Sequence, residues 1–380
     1  MKIIHFSDTH LGFAEYNAAD PETGVNRRET DFYKAFRLVV EAIREKKPDL
    51  AIHAGDLFDT VRPSNRAITE AIAGLRRILD AGVELVVIAG NHETPKIQAT
   101  GNIFKALQAA LPGAHIVFDG ERRVIRAAGA AVHAIADAAD EARLQAALDG
   151  IEPVKGIPNV AVLHAGTRTL EGKVQSGEFN QHYVPHDRLA SLGAFDYIAM
   201  GHYHRAMRVD GTKNAWYCGS TERTSIAEAK NVPGYLEVTL GPLDPKHVPI
   251  PVRPMLDLGA VPCSGLTHEQ VLRELSKALE GRIEGAIARV ELKGISPQAL
   301  AALSQEELAR LKKPALHCEI VPVAEEEAGS PGGGPLTFGS LAEEFTRFLA
   351  SYKLEKGYDR DKVASLGQDY LAESCLEEQE

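Results

Sequence analysis

Through roughly the first 250 residues, short apolar runs bounded by turn residues alternate with stretches of helical spacing, the pattern of a layered α/β domain. Lys2 to Phe6 reads as the opening strand. Phe32, Phe36, Val39, Val40 and Ile43 then share one helix face, and Pro48 and Asp49 stop that helix. Leu50 to His53 reads as a buried strand, Ser64 to Leu79 as a helix with Ser64 as N-cap, and Leu85 to Ala89 as a third strand. Further strands are expected near Val132, from Val160 to His164, and ending at Met200. Polar residues recur where these strands end, the edge at which α/β sheets place their ligands.

From about Pro251 the pattern changes. Helical Thr267 to Leu279, strand-like Ala286 to Leu292, helical Pro297 to Leu311 and strand-like Ala315 to Val323 predict a smaller unit of two helices and two strands. Gly329 to Pro335 has the composition of a linker. Beyond it, Leu341, Phe345, Phe348 and Leu349, then Val363, Leu366, Tyr370 and Leu371, keep helical spacing. The expected division is 1–250, 251–323, a flexible linker over 324–337 and a helical segment over 338–380.

A hydrophobic content of 44% with 25% charged residues sits in the normal soluble range and indicates neither wholesale disorder nor a membrane protein. The longest apolar runs, such as Val83 to Ala89, are strand-sized, so no membrane association is expected. Met1 to Phe6 runs straight into Ser7 and Asp8 without a leader-like stretch, which predicts a cytoplasmic protein. Cys218, Cys263, Cys318 and Cys375 stand singly, with no zinc or redox spacing. The net charge of −11 argues against indiscriminate coating of nucleic acid. Much of that acid lies late, at Glu325 to Glu327 and from Glu373 to Glu380, so the earlier part is closer to neutral.

Candidate chemistry lies in five segments: Ser7-Asp8-Thr9-His10, Gly55-Asp56-Leu57-Phe58-Asp59, Gly90-Asn91-His92-Glu93, His164-Ala165-Gly166 and Gly201-His202-Tyr203-His204. Alone, a D-x-H or H-x-H is more often a set of solvated side chains or a satisfied histidine than a ligand set; together and at strand ends, the five point to a metal cluster. Residues two apart in an extended segment point to one side, so Asp8 with His10, or His202 with His204, can reach one cluster. Carboxylate, imidazole and amide ligands suit manganese, iron or zinc. A shared aspartate between two cations suits hydrolysis of a phosphodiester. Gly55, Gly90 and Gly201 fit tight turns that admit a ligand closely. His53 reads as a core histidine.

In this order, D-x-H, GD-x-x-D, GNH-E, H and GH-x-H resemble the calcineurin-like metallophosphoesterase superfamily over roughly residues 1 to 250. Met1 to Gly12, Gly55 to Asp59 and Tyr217 to Ser225 are similar, more narrowly, to the SbcD-type DNA double-strand-break repair nucleases, the meiotic recombination eleven family. The resemblance implies a layered metallophosphoesterase β-sandwich flanked by helices, a small α+β capping domain at 251–323 and a C-terminal helical tail. It implies two manganese ions, with magnesium, iron or zinc as alternatives. One would be held by Asp8, His10, Asp56 and His204, the other by Asp56, Asn91, His164 and His202. His92 corresponds to the catalytic histidine that contacts the scissile phosphate and protonates the leaving oxygen; a purely structural histidine is the competing reading. Asp59 departs from archaeal and eukaryotic relatives, which carry a histidine there, and its role is left open.

The function so implied is exonucleolytic and endonucleolytic cleavage of DNA by a homodimer working with an SbcC-type SMC-like ATPase. The tail over 338–380 would grip that partner, or fold as a peripheral helix on its own core. Arg27, Arg28, Arg62, Arg66, Arg205 and Arg223 adjoin the metal motifs and are candidate phosphate contacts, against a default of solvated surface charge. Ile68, Ile72, Leu75, Ile103, Phe104 and Leu107 fit either a dimer interface or the core. A calcineurin-like phosphatase or cyclic-nucleotide phosphodiesterase, and a scaffold without turnover, are the rival functions.

Overall fold

Strands buried on both faces read as near-continuous apolar runs, and the opening runs largely supply them, with His5 and His53 buried among apolar neighbours. In the computed structural model, Lys2–Phe6, Leu50–Ala54, Glu84–Ile88 and His115–Val117 lie parallel, in that order across a six-stranded sheet. Gly234–Thr239 and Asp244–Pro249 extend the sheet antiparallel on its other side. A second six-stranded sheet has the order Met207–Arg208, Ala215–Tyr217, Tyr197–Gly201, Asn159–His164, Ala130–Ile135, Arg122–Ala127. The structure describes residues 1–97, 100–138, 140–167 and 182–323, together with 345, 346, 349, 360 and 362–367.

Strand period two divides the second sheet cleanly. Val160, Val162, Tyr197 and Ala199 join the large apolar cluster that includes Ile52 and Val86 of the first sheet. Their neighbours Ala161, Leu163, Ile198 and Met200 point the other way, onto Leu144, Leu148 and Leu189 of two short helices. The two sheets therefore face each other across one apolar layer, the expected sandwich. On the first sheet, the helix Arg27–Lys46 buries Phe32, Phe36, Val39, Val40 and Ile43. It starts at Asn26, whose side chain accepts from the Arg28 and Glu29 N–H groups, and ends at Lys47 in a left-handed conformation. Asn65–Asp80 is the second helix, with Ser64 accepting from the Ala67 N–H at 3.1 Å as its cap.

Beyond Pro251, Met255–Pro262, Ile287–Lys293 and His317–Val323 form a three-stranded parallel sheet with an apolar cluster of its own. Its first strand was not expected, because a register shift between Asp257 and Ala260, with Gly259 left-handed, interrupts the alternation. The single helix expected from Pro297 to Leu311 is two, Pro297–Ala302 and Gln305–Lys312. Ser304 is extended and caps the second by accepting from Glu306 N, while Leu303, Leu308 and Leu311 stay on the same cluster. Helical spacing survives the break, so periodicity alone does not show it.

Residues 1–324 form one compact unit and 325–380 another. The linker expected over 324–337 lies outside the described residues, as does most of the segment over 338–380. In its described parts both pieces are helical, and Gly367 leaves room for the Phe345 ring, which a Cβ there would meet at 2.3 Å. No helix among the described residues is long and apolar enough to cross a membrane.

Candidate metal centre

The loops that leave the parallel strands at their carboxyl ends are bound to one another before any side chain is considered. Asp8 N donates to Gly55 O at 3.0 Å, and Thr9 and His10 N both reach Asp56 O, at 2.9 and 3.1 Å. Register continues across the second sheet, where Gly201 lies opposite His164. Asp8, His10, Asp56 and His202 have φ of 50°, 39°, 54° and 106°, a region that side chains other than glycine rarely occupy. Such strain persists where surrounding structure enforces it, and it marks functional sites.

All seven expected ligands and His92 converge. Asp8, His10 and His204 form one group of donor atoms, and Asp56, His164 and His202 another, each within 4.8 Å. Asp56 Oδ2 lies between the groups, 3.2 Å from His164 Nε2 and 4.0 Å from His10 Nε2. Asn91 Oδ1 completes the second group, 3.0 Å from His164 Nε2 and 3.3 Å from His202 Nδ1. His10 Nε2 faces His204 Nε2 at 3.0 Å.

These donors fit cations because acceptors point at acceptors. His164 Nδ1 faces the Ala54 carbonyl at 2.8 Å and must donate to it, so in the neutral ring the Nε2 lone pair meets Asp56 and Asn91 oxygens. His204 Nδ1 lies 2.8 Å from Glu228 Oε1, which likewise turns the Nε2 lone pair onto His10. Burial pushes His202 down to about 3 and His10 well below its ordinary value, keeping both lone pairs free. Burial also raises Asp8 to about 6. For His164, burial is outweighed by the Asp56 carboxylate, which carries the imidazole up to about 10. Asp56 itself is held well below the usual carboxylate range, the surrounding imidazoles overcoming the effect of burial. A proton on His164 thus occupies the place a cation would take, and the two compete.

Glycines 55, 90 and 201 act differently from expectation. Only Gly55 has a positive φ among them, 96°; the shared requirement is space. A Cβ at Gly55 would meet His164 Nδ1 at 2.3 Å, one at Gly90 Asp56 Oδ1 at 2.2 Å, and one at Gly201 the Ala54 carbonyl at 2.1 Å. Glu93, wholly buried, accepts from Phe58 N at 2.7 Å and Gly90 N at 2.9 Å and so ties the loops carrying Asp56 and Asn91. Burial, then the Asp56 charge, raises its carboxyl to about 8. Glu228 behind His204 was missed: nothing local in sequence links it to the metal motifs. Asp59 Oδ1 lies 3.6 Å from His10 Nδ1, and its carbonyl accepts from His92 Nδ1 at 2.8 Å. His53 is buried, its Nε2 3.1 Å from Thr9 Oγ1, outside the donor groups.

His10, Asn91, His92 and His204 line a cleft of about 890 Å³ with Arg62 and Phe13. His92 presents Nε2 beside Asp56, 3.9 Å from Oδ2, and its ring is about one-third exposed. Burial lowers its pKa, but the Asp56 charge and the Asp59 carbonyl reverse the balance and leave it raised. The candidate phosphate contacts divide. Arg62 is in the cleft; Arg27 and Arg205 are exposed; Arg66 is exposed with its Nη1 3.1 Å from both Glu29 oxygens. Arg28 is a correction: it is wholly buried, donating to Asp31 at 3.0 Å and to the Arg223 carbonyl at 2.5 Å, and cannot reach a phosphate. Arg223 is corrected likewise: it is buried and donates to the Ala229 and Arg253 carbonyls. Leu75, Phe104 and Leu107 are also fully buried in the large core, and Ile68, Ile72 and Ile103 pack partly buried against it.

A family model described as calcineurin-like phosphoesterase matches residues 1–206. The chain belongs to the calcineurin-like phosphoesterase family. The matched stretch of this phosphoesterase holds every expected ligand and His92, and ends just past His204; Glu228 and residues 251–323 lie beyond it. The DNA double-strand break repair protein Mre11 of Methanococcus maripaludis is 28% identical over 239 residues, 61% of this chain and 60% of that protein. The Mre11 of Haloferax volcanii is 29% identical over 320 residues, 80% of this chain and 65% of that protein. That of Sulfurisphaera tokodaii is 29% identical over 248 residues, 62% of this chain and 56% of that protein. The phosphoesterase therefore spans less than two thirds of the length of these curated relatives.

Proposed function

We propose that this phosphoesterase is a manganese-dependent DNA nuclease subunit that hydrolyses phosphodiesters in double-strand-break repair, cutting both at ends and internally. The observation that carries the reading is the Asp56 carboxylate lying between two donor groups, of whose residues His10, Asn91 and His204 open onto the cleft. Two cations bound there would supply charge to the phosphoryl oxygens and a water-derived nucleophile at neutral pH. Asp8, His10 and His204 hold one position and Asn91, His164 and His202 the other, with Asp56 common to both. His92 is the acid: with Nδ1 donating to the Asp59 carbonyl, its Nε2 carries the proton that passes to the leaving oxygen. Arg62, Arg27 and Arg205 contact DNA phosphates without reading bases.

Support for DNA as substrate comes from the Mre11 relatives and from the Tyr217 to Ser225 segment. On the same ground, 251–323 acts as a capping domain that positions DNA, the chain works as a cytoplasmic homodimer, and 338–380 binds an SbcC-type SMC-like ATPase. Purified chain with manganese should degrade linear and hairpin DNA, and Asp56→Ala should lower the rate by more than about 1,000-fold, several kcal/mol of lost cation chemistry. DNA left intact while small phosphodiesters or phosphomonoesters turn over would instead make it a phosphatase-like enzyme.

A further inference from the structure

The two cation positions are not backed alike. Glu228 Oε1 accepts from His204 Nδ1 at 2.8 Å, and Glu228 is itself fixed, accepting from Thr224 N at 3.0 Å and Thr224 Oγ1 at 2.8 Å. Asp59 Oδ1 stands 3.6 Å from His10 Nδ1, a buried nitrogen with no hydrogen-bond partner. Across the cluster, the outward nitrogen of His164 is backed by the neutral Ala54 carbonyl, and Asn91 contributes a neutral oxygen. Among the described residues no carboxylate backs His164 or His202 from outside. Asp59 and Glu228 thus stand behind the imidazoles of one position only, whereas Asp56 is common to both, and Asp8 also reaches the second, accepting from His202 N at 3.0 Å and acting on His164.

We propose that Glu228, reinforced by Asp59, makes the two positions unequal, gripping the outward nitrogen of His204 so that the cation beside Asp8, His10 and His204 is held more tightly. A carboxylate on the far nitrogen fixes the ring, sets its tautomer and raises the electron density on the nitrogen facing the metal. Added negative charge nearby strengthens attraction to a dication, more so where burial lowers the screening by water. Glu228 and Asp59 are positioning residues here. The inference rests on the two-metal reading and goes beyond it.

The test is a titration of metal-stripped full-length chain with manganese alone, following free Mn²⁺ by electron paramagnetic resonance. Wild type should show two classes of site. Glu228→Ala should weaken the tighter class by about 10- to 100-fold and leave the other in place. Glu228→Gln keeps an acceptor oxygen but loses the charge, and should fall between. Asp59→Ala should shift the same class by less, and Asn91→Ala should weaken the opposite class. Thermal unfolding of the metal-free variants checks folding, and Glu228→Gln serves if Glu228→Ala does not fold. Wild type binding two ions with no shift in a folded Glu228 variant, or with equal loss at both classes, overturns the inference. Wild type binding no manganese overturns the two-metal reading itself.

Discussion

The parallel strands over the first 250 residues and those over 251–323 follow the same local rules, yet they end in different ways. At the ends of the former, left-handed backbone is borne by Asp8, His10, Asp56 and His202; among the described residues of 251–323 it falls on glycines only. Buried polar or charged side chains are frequent around the first set of strand ends, and among the described residues none lies in 251–323. Holding a side chain in such a conformation costs about 1–3 kcal/mol at each residue, and each buried polar group needs a partner. The first region tolerates both because its donors converge on one place. Among the described residues the second shows no such convergence, and most of its buried side chains form one apolar cluster.

That contrast breaks first at His92. His92→Ala should slow phosphodiester cleavage by about 100- to 10,000-fold while manganese titration still shows two ions; loss of the ions with the rate would make His92 a support for the ligands and not the acid. Next comes the packing region: Leu275, wholly buried in the cluster over 251–323, should cost about 2–5 kcal/mol in urea unfolding when changed to alanine, with manganese binding unaffected. If Leu275→Ala also weakened manganese binding, the two regions would not be separable.

Acid should separate them further. Burial holds His5 and His53 down to about 3, against an ordinary value of 6.5. Between those values the unfolded chain binds protons that the folded chain refuses, so stability is complete above about pH 6.5 and falls as pH is lowered towards 3. His53→Gln should flatten that fall in chemical denaturation run across the window; an unchanged slope would mean His53 does not carry it. The smallest effect is expected from Gly281→Ala, at φ 67° with nothing within 4 Å, which should cost about 1–2 kcal/mol and leave metal binding alone. Gly90→Ala, whose Cβ would meet Asp56 Oδ1 at 2.2 Å, should instead lower manganese affinity.

Much of the site was legible because each ligand sits in a short segment next to an unmistakable strand. Lys2–Phe6 carries Ile3, Ile4 and Phe6 as a short apolar run, and the D-x-H that follows it reads directly as a turn carrying donors. Glu228 was not legible, since it lies 24 residues from its partner His204 and the two meet only in the folded chain. Arg28 misled for a related reason. A guanidinium beside the metal motifs resembles a phosphate contact until Asp31 and the Arg223 carbonyl are found around it. The break before Ser304 escaped because one apolar face runs through both short helices.

The sequence by itself determined which donors the protein has, their order and the strand ends that carry them, because apolar period and turn residues act over a few positions. Only the tertiary structure decided that Asp56 lies between both groups, that Glu228 and Asp59 back one group alone, and which arginines remain outside. Those relations join residues tens to nearly two hundred positions apart. Their distances are set by how two sheets pack across a common apolar layer, and no local pattern records that.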